Sequence, residues 1–290
     1  MSLVPIGEIV APAVAGGFGV GAFNLIQLEL AEAIVSGAER AGTPVVLQIS
    51  QNCVRYHGAL EPVAVAALAV ARQATMPVVV HLDHAESVEL VDEALALGVG
   101  SVMFDASAFD YADNVELTRG VASRCHDQGV WVEAELGEVG GKDGAHPAAP
   151  GTPAGAHAPG ARTDPGEAAL FVAATGVDAL AVAVGTSHAM VEKSAALDLE
   201  LIGRLREAVP VPLVLHGSSG VADDDLVAAV AAGITKVNVA TQLNKTFTES
   251  VRATLAARPD LVDTRKYVGP ARDAVAAEVA RLLGLITAAP

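Results

Sequence analysis

Eight short apolar runs rich in Val and Ile recur along the chain, bounded by Gly, Pro or charged residues, with Ala-rich stretches between them. They are GVGAFN (19–24), PVVLQIS (44–50), PVVVHLD (77–83), SVMFDAS (101–107), WVEAELG (131–137), ALAVAVG (179–185), PLVLHGS (212–218) and ITKVNVA (234–240). Each is too short for an ordinary buried helix and reads as a strand covered on both faces. The intervening Gln27–Ala41, Val63–Gln73, Val88–Leu97, Val115–Gln128 and Leu199–Val209 carry apolar residues at helical spacing. Alternation of this kind implies a parallel sheet with right-handed crossovers, and eight units in about 250 residues suit a closed (β/α)8 barrel. The alternative, an open doubly wound sheet, needs a glycine fingerprint after its first strand. Here Gly16, Gly17, Gly19 and Gly21 fall within or before that strand. The expectation is therefore one barrel domain over residues 1–290.

One interval departs from the pattern. After the fifth run, residues from about 138 to 165 are Gly, Pro and Ala with almost no branched apolar side chains. That composition cannot form a packed core and predicts a surface loop at the catalytic face of a barrel, either a tolerated insertion or a lid. Charge narrows the function classes. Against 34 acidic residues stand 18 Lys and Arg, a net charge of −16, which disfavours nucleic acid and anionic membranes as partners. The longest clean apolar run, Val63 to Ala71, is about half a membrane span. Two cysteines, Cys53 and Cys125, are too few for a disulfide scaffold. With no basic-then-apolar leader at the N-terminus, a cytoplasmic protein is expected.

Polar residues gather at the strand ends: Asp83 and His84 on the third, Asp105 on the fourth, Glu133 and Glu135 on the fifth. His188 follows the sixth, His216 closes the seventh and Asn238 nearly closes the eighth. In a closed barrel these ends share one mouth, and buried carboxylates and imidazoles are costly unless paired or metal-bound. A divalent metal explains the gathering: His84, His188 and His216 could supply three nitrogens and leave a position open for substrate. Any one of these histidines alone reads as an ordinary core or surface residue. His81 shares Asp83's face of the strand and is expected to orient it. His57, His126, His146 and His157 have no convergent partners and carry no functional reading. A second cluster, His216-Gly217-Ser218-Ser219-Gly220 and Asn238-Val239-Ala240-Thr241, puts small residues after the last two strands, the usual phosphate position on such barrels. Lys236 raises a rival, a Schiff base with a ketone. That mechanism needs no metal and leaves the histidines without a purpose.

These residues resemble the class II, metal-dependent ketose-bisphosphate aldolases, the fructose- and tagatose-bisphosphate group. The shared motifs are GAFN (21–24), HLDHA (81–85), FDAS (104–107), EAELG (133–137), TDP (163–165), GTSH (185–188), HGSSG (216–220), KVNVAT (236–241) and RKYVGPAR (265–272). The resemblance implies that His84, His188 and His216 bind catalytic Zn2+, with Glu135 and Asp105 forming an alternative or second metal position. Asp83 would handle the proton on the leaving aldehyde's oxygen and Asn238 would hold the zinc-stabilised enediolate. Ser219, Thr241 and the backbone around Gly217 would hold one phosphate, with a monovalent cation, Na+ or K+. Asn24 and Ser50 would line the rest of the site. Arg265 would reach the far phosphate from a neighbouring subunit, which makes a homodimer or homotetramer the expected assembly.

Two departures from the family pattern bear on substrate range. Relatives carry two or three acids in the loop after EAELG; here only Asp143 stands near that place, with Glu138 a second choice for the proton on the dihydroxyacetone half. Relatives commonly have Gly, an aromatic and Lys after the histidine of GTSH; here Ala189, Met190, Val191, Glu192 and Lys193 follow. The expected reaction is reversible cleavage of a ketose 1,6-bisphosphate, fructose or tagatose, to the triose phosphate dihydroxyacetone phosphate and an aldehyde, glyceraldehyde 3-phosphate. The rivals are a metal-dependent hydrolase on the same barrel and a sugar-phosphate-binding paralogue without catalysis.

Overall fold

A computed structural model of the chain describes residues 2–137, 162–188, 190 and 192–288. Helix α1 (Gly7–Gly16) precedes β1 (Val20–Asn24), α2 (Leu28–Ala41), β2 (Val45–Ser50), α3 (Gln51–His57) and α4 (Glu61–Gln73). Next come β3 (Val78–Ala85), α5 (Val88–Leu97), β4 (Ser101–Phe104), α6 (Tyr111–His126), β5 (Trp131–Leu136) and α7 (Pro165–Thr175). The last units are β6 (Ala179–Val182), α8 (Leu199–Ala208), β7 (Leu213–Leu215), a 3-10 turn (Ser218–Gly220) and α9 (Asp223–Ala232). β8 (Ile234–Val239), α10 (Thr241–Ala257) and α11 (Arg265–Ile286) complete the chain. The strands pair in parallel in chain order and β8 returns to β1, with Ala22 opposite Asn238. The sheet is thus a closed (β/α)8 barrel, and the open sheet is excluded. Three strands stop three residues earlier than expected: β4 at Phe104, β6 at Val182 and β7 at Leu215. Asp105 and His216 therefore sit just beyond their strands.

The alternation of side chains along each strand, two residues per repeat, layers the barrel's interior. At the N-terminal end Val20, Ala22, Val46 and Val79 pack on Ile6, Ile9, Val10 and Ala13 in and before α1, which plugs that end with apolar surface. Two residues further along their strands the inward positions turn polar, with Gln48 and His81 both fully buried. Two more bring Ser50 and Asp83 to the opposite mouth, where the register pairs them. β5 steps likewise from Glu133 to Glu135, and β8 from Lys236 to Asn238. A second apolar cluster fills the space between the outer sheet face and the helices.

Local chemistry explains several of the turns around the barrel. The Ser87 side chain caps α5, and the helix ends at Gly98 in the left-handed region, φ 84°. In the TDP motif each residue has a separate task. Thr163 Oγ1 donates to Leu136 O at 2.6 Å and accepts from Ala183 N at 2.8 Å, tying the end of β5 to that of β6. Asp164 caps the first turn of α7, and Pro165 occupies its first position, where no N–H is needed.

Candidate active site

Three imidazoles from distant stretches meet at the mouth. The ring centroids of His84, His188 and His216 lie 4.8–5.5 Å apart and the ring planes cross at 75–84°. Glu135 joins them: one ligand atom from each of the four residues falls within 4.8 Å of every other. His216 Nδ1 is 3.1 Å from His84 Nε2 and 3.5 Å from Glu135 Oε2. Ligand nitrogens about 2.0–2.1 Å from a tetrahedral Zn2+ stand roughly 3.3 Å apart, so the donor set fits such an ion. One buried oxygen at the same mouth, Asp83 Oδ1, has no hydrogen-bond partner, as expected where a polar ligand belongs.

Backbone geometry aims these groups. His84 has φ 52°, a conformation that non-glycine residues rarely adopt, and it sits where the β3–β4 register shifts between Leu82 and Ala85. The distortion puts His84 and Asp83 at the mouth together. The chain turns after β7 at Gly217, whose φ of 66° would strain any other residue. A Cβ there would also lie 2.6 Å from Ser187 O. The loops after β6 and β7 are pressed together at that point.

Around the donors stands a shell of hydrogen bonds. His84 Nδ1 meets Asp105 Oδ2 at 3.1 Å, while Asp105 Oδ1 accepts from the Ser107 N–H and hydroxyl at 3.1 and 2.6 Å. This separates the pair expected to form an alternative metal position: Glu135 faces the histidines, whereas Asp105 braces His84 from behind. Asp83 is held by Asn24 rather than by the expected His81. Asn24 Nδ2 donates to Asp83 Oδ2 at 3.0 Å, and Gln48 Nε2 donates to Asn24 Oδ1 at 3.0 Å. The His81 ring turns sideways to Ser101 Oγ, 2.9 Å away, because β4 offers it a partner within reach. Gln48 was missed in the sequence, although an amide inside the otherwise apolar PVVLQIS was a usable signal.

Below the mouth, Lys236 Nζ donates to Glu133 Oε2 at 2.8 Å, and His216 Nε2 lies 2.9 Å from Glu133 Oε1. Burial pushes the Glu133 carboxyl up, but the Lys236 charge and the His216 hydrogen bond outweigh it and hold the group at about 2. Burial likewise opposes ionisation of Asp83, yet the charges of His84, His216, His81 and Lys236 keep it well below the usual carboxylate range. His81 is pushed down to about 3, by burial first and by Lys236 next. Lys236 is buried, engaged with Glu133 and absent from the lining of the cavity above, which argues against a Schiff base there.

That cavity, about 520 Å³, opens over the histidines. Asn24, Ser50, Asp83, His84, His188, Gly217, Ser219, Asn238 and Thr241 are among the residues that line it. Ser219 Oγ accepts from Gln242 N at 3.1 Å, and Ser218 Oγ donates to Asn238 O, so the loop after β7 is fastened to the start of α10 and to the end of β8. Ser50 Oγ also caps α3 by accepting from Cys53 N. Arg265 lies elsewhere, exposed at the start of α11 and paired with Asp263 at 2.9 Å. His57 contacts Ile26 O, and His126 pairs with Asp178 at 2.8 Å; neither joins the site. Asp143, Glu138, His146 and His157 lie outside the described residues. Among those described, no helix is long and apolar enough to cross a membrane.

Fold and mouth together define a (β/α)8 barrel with a candidate divalent-metal centre of three histidines and a carboxylate. Residues 4–289 match the family "Fructose-bisphosphate aldolase class-II", and the chain belongs to that family of aldolases. It is 40% identical to a fructose-bisphosphate aldolase of Thermus caldophilus over 92% of each chain. It is 37% identical to one of Geobacillus stearothermophilus, over 96% of this chain and 95% of that one. Among solved structures, the YdjI aldolase of Escherichia coli K12 superposes with a TM-score of 0.82 at 32% identity, covering 99% of this chain and 100% of the other.

Proposed function

We propose that the chain, acting as one barrel unit over residues 1–290, is a zinc-dependent aldolase. It would reversibly cleave a ketose 1,6-bisphosphate, fructose or tagatose, to dihydroxyacetone phosphate and glyceraldehyde 3-phosphate. The observation that carries this reading is the crossing of three imidazole rings, with His216 buried beneath a cavity that His84, His188 and the buried carboxylate of Asp83 line. His84, His188 and His216 would hold the ion, with Glu135 as a further or alternative ligand; Asp105 would serve by bracing His84. When bound, Zn2+ supplies Lewis-acid stabilisation, worth several kcal/mol, of charge on the carbonyl and neighbouring hydroxyl oxygens.

The chain's own groups do the rest. Asp83, ionised and held through Oδ2 by Asn24, takes the proton from the substrate's C4 hydroxyl through Oδ1 as the carbon–carbon bond breaks, and returns it in the reverse direction. Asn238 supports the oxygen that gains charge. Asp143 serves the proton on the dihydroxyacetone half. One phosphate sits against Gly217, Ser219 and Thr241, where small residues admit backbone N–H groups and α10 begins, and a monovalent cation, Na+ or K+, completes that subsite. Arg265 of a second copy would meet the far phosphate, in a homodimer or homotetramer in the cytoplasm.

Coupled-enzyme detection of triose phosphate from fructose and tagatose bisphosphates, with and without chelator, tests the reading. Triose phosphate release that a chelator abolishes supports it. Phosphate release without carbon–carbon cleavage would reveal a hydrolase, and binding without exchange of the dihydroxyacetone phosphate α-proton a non-catalytic paralogue; either outcome overturns it.

A further inference from the structure

A charged pair lies directly beneath the candidate metal centre, inside the barrel. Lys236 and Glu133 are 1% and 2% exposed, on strands β8 and β5, and their side chains bond at 2.8 Å. Burying two charges in a barrel core is costly and is seldom retained for stability alone. The pair does not line the cavity, so neither group touches substrate. What it does touch is His216, whose Nε2 is 2.9 Å from Glu133 Oε1 while Nδ1 faces His84 and Glu135.

A neutral imidazole carries one proton and can bind a metal only through its other nitrogen. The ionised Glu133 carboxylate can only accept, so it demands the proton on Nε2. Asn238 Nδ2 also stands 2.9 Å from that nitrogen and, as an N–H donor, would favour the opposite tautomer. The charged acceptor gives the stronger bond. Half a turn of the Asn238 amide then brings Oδ1, buried and without a partner, to the same N–H. We infer that Glu133, anchored by Lys236, is a positioning residue: it fixes the Nε2–H tautomer of His216 and so aims the Nδ1 lone pair into the metal centre. Lys236 keeps the carboxylate charged and stops it from swinging towards the centre as a rival ligand. This rests on the metal-centre reading proposed above.

The test begins with the unaltered apoprotein. In histidine-selective 15N NMR, His216, assigned by the loss of its signal in His216→Gln, is expected to show Nε2 protonated and Nδ1 bare. The opposite tautomer overturns the inference even if no variant folds. Competition with a chromophoric chelator then measures affinity for Zn2+, with Co2+ as a spectroscopic probe. Glu133→Gln and Lys236→Met are each expected to weaken metal binding about 10- to 100-fold and to alter the Co2+ visible bands. A pair that merely supports the fold would lower the melting temperature of the apoprotein while the folded fraction kept full metal affinity; that result overturns the inference. Failure of the unaltered protein to bind Zn2+ would instead overturn the metal-centre reading itself.

Discussion

Asn24 Nδ2 donates to Asp83 Oδ2 across 3.0 Å, leaving the second carboxylate oxygen of Asp83 buried and without a partner. One oxygen is thus anchored and the other is not. If Asp83 moves the substrate's proton, Asp83→Asn should lower kcat by about 100- to 10,000-fold. Zn2+ content should stay near that of the unaltered protein, because Asp83 lies outside the four-residue donor set. Steady-state kinetics alongside metal analysis checks this, and near-normal turnover would remove the role assigned to Asp83.

The donor set is built on a scaffold that does not need the ion. The barrel closes through eight parallel pairings, and its apolar clusters lie at the N-terminal plug and under the helices, away from the mouth. Chelation should therefore abolish turnover while the far-UV circular dichroism stays unchanged. The free energy of unfolding should fall only by the linkage contribution of the lost ligand, about 4 kcal/mol where the free ion stood at a thousand times its Kd, and the melting temperature should drop accordingly. Added Zn2+ should restore activity without a refolding step.

Gly217 offers a sharper probe of the phosphate cradle proposed for the loop after β7. Its φ of 66° and the 2.6 Å approach of a built Cβ to Ser187 O together mean that Gly217→Ala must force the loops after β6 and β7 apart. A loss of about 1–3 kcal/mol in stability is expected from the strained backbone. Separation of the loops should raise KM for the phosphorylated substrate by more than it lowers kcat. Denaturant unfolding and kinetics on the same preparation distinguish the two effects.

Much of this architecture is legible in the sequence. Runs of Val and Ile too short for helices, alternating with Ala-rich stretches, determined the barrel, and polar residues at the run ends pointed to the mouth. What stayed hidden follows from geometry that spacing does not encode. Asp105 and His216 fall past the ends of shortened strands, so which way each side chain turns depends on a local bend. His81 shares a face with Asp83, yet its ring finds Ser101 on the neighbouring strand first. The Gln48–Asn24–Asp83 chain crosses three strands, and only the closed register brings those residues together. Helix α1 went unread because its apolar residues serve as a plug for the barrel and show no strong amphipathic pattern.

The same buried His81 makes stability depend on pH in a defined direction. Its ring titrates at about 3 in the folded chain against the ordinary 6.5 that the unfolded chain should show. Between those values the unfolded state binds the additional proton, so stability contributed by neutral His81 is fully present above pH 6.5. It is lost progressively as pH falls from 6.5 towards 3. The slope approaches about 1.4 kcal/mol per pH unit for one proton. In His81→Gln, which keeps an amide able to reach Ser101 Oγ, this component should vanish. Urea unfolding of both proteins at about pH 7 and about pH 5 measures it: the unaltered chain should lose roughly 2 kcal/mol more than the variant on acidification. Equal losses would mean that the ring is already protonated in the folded barrel, and that the polar layer beneath the mouth carries a charge more positive than its geometry implies.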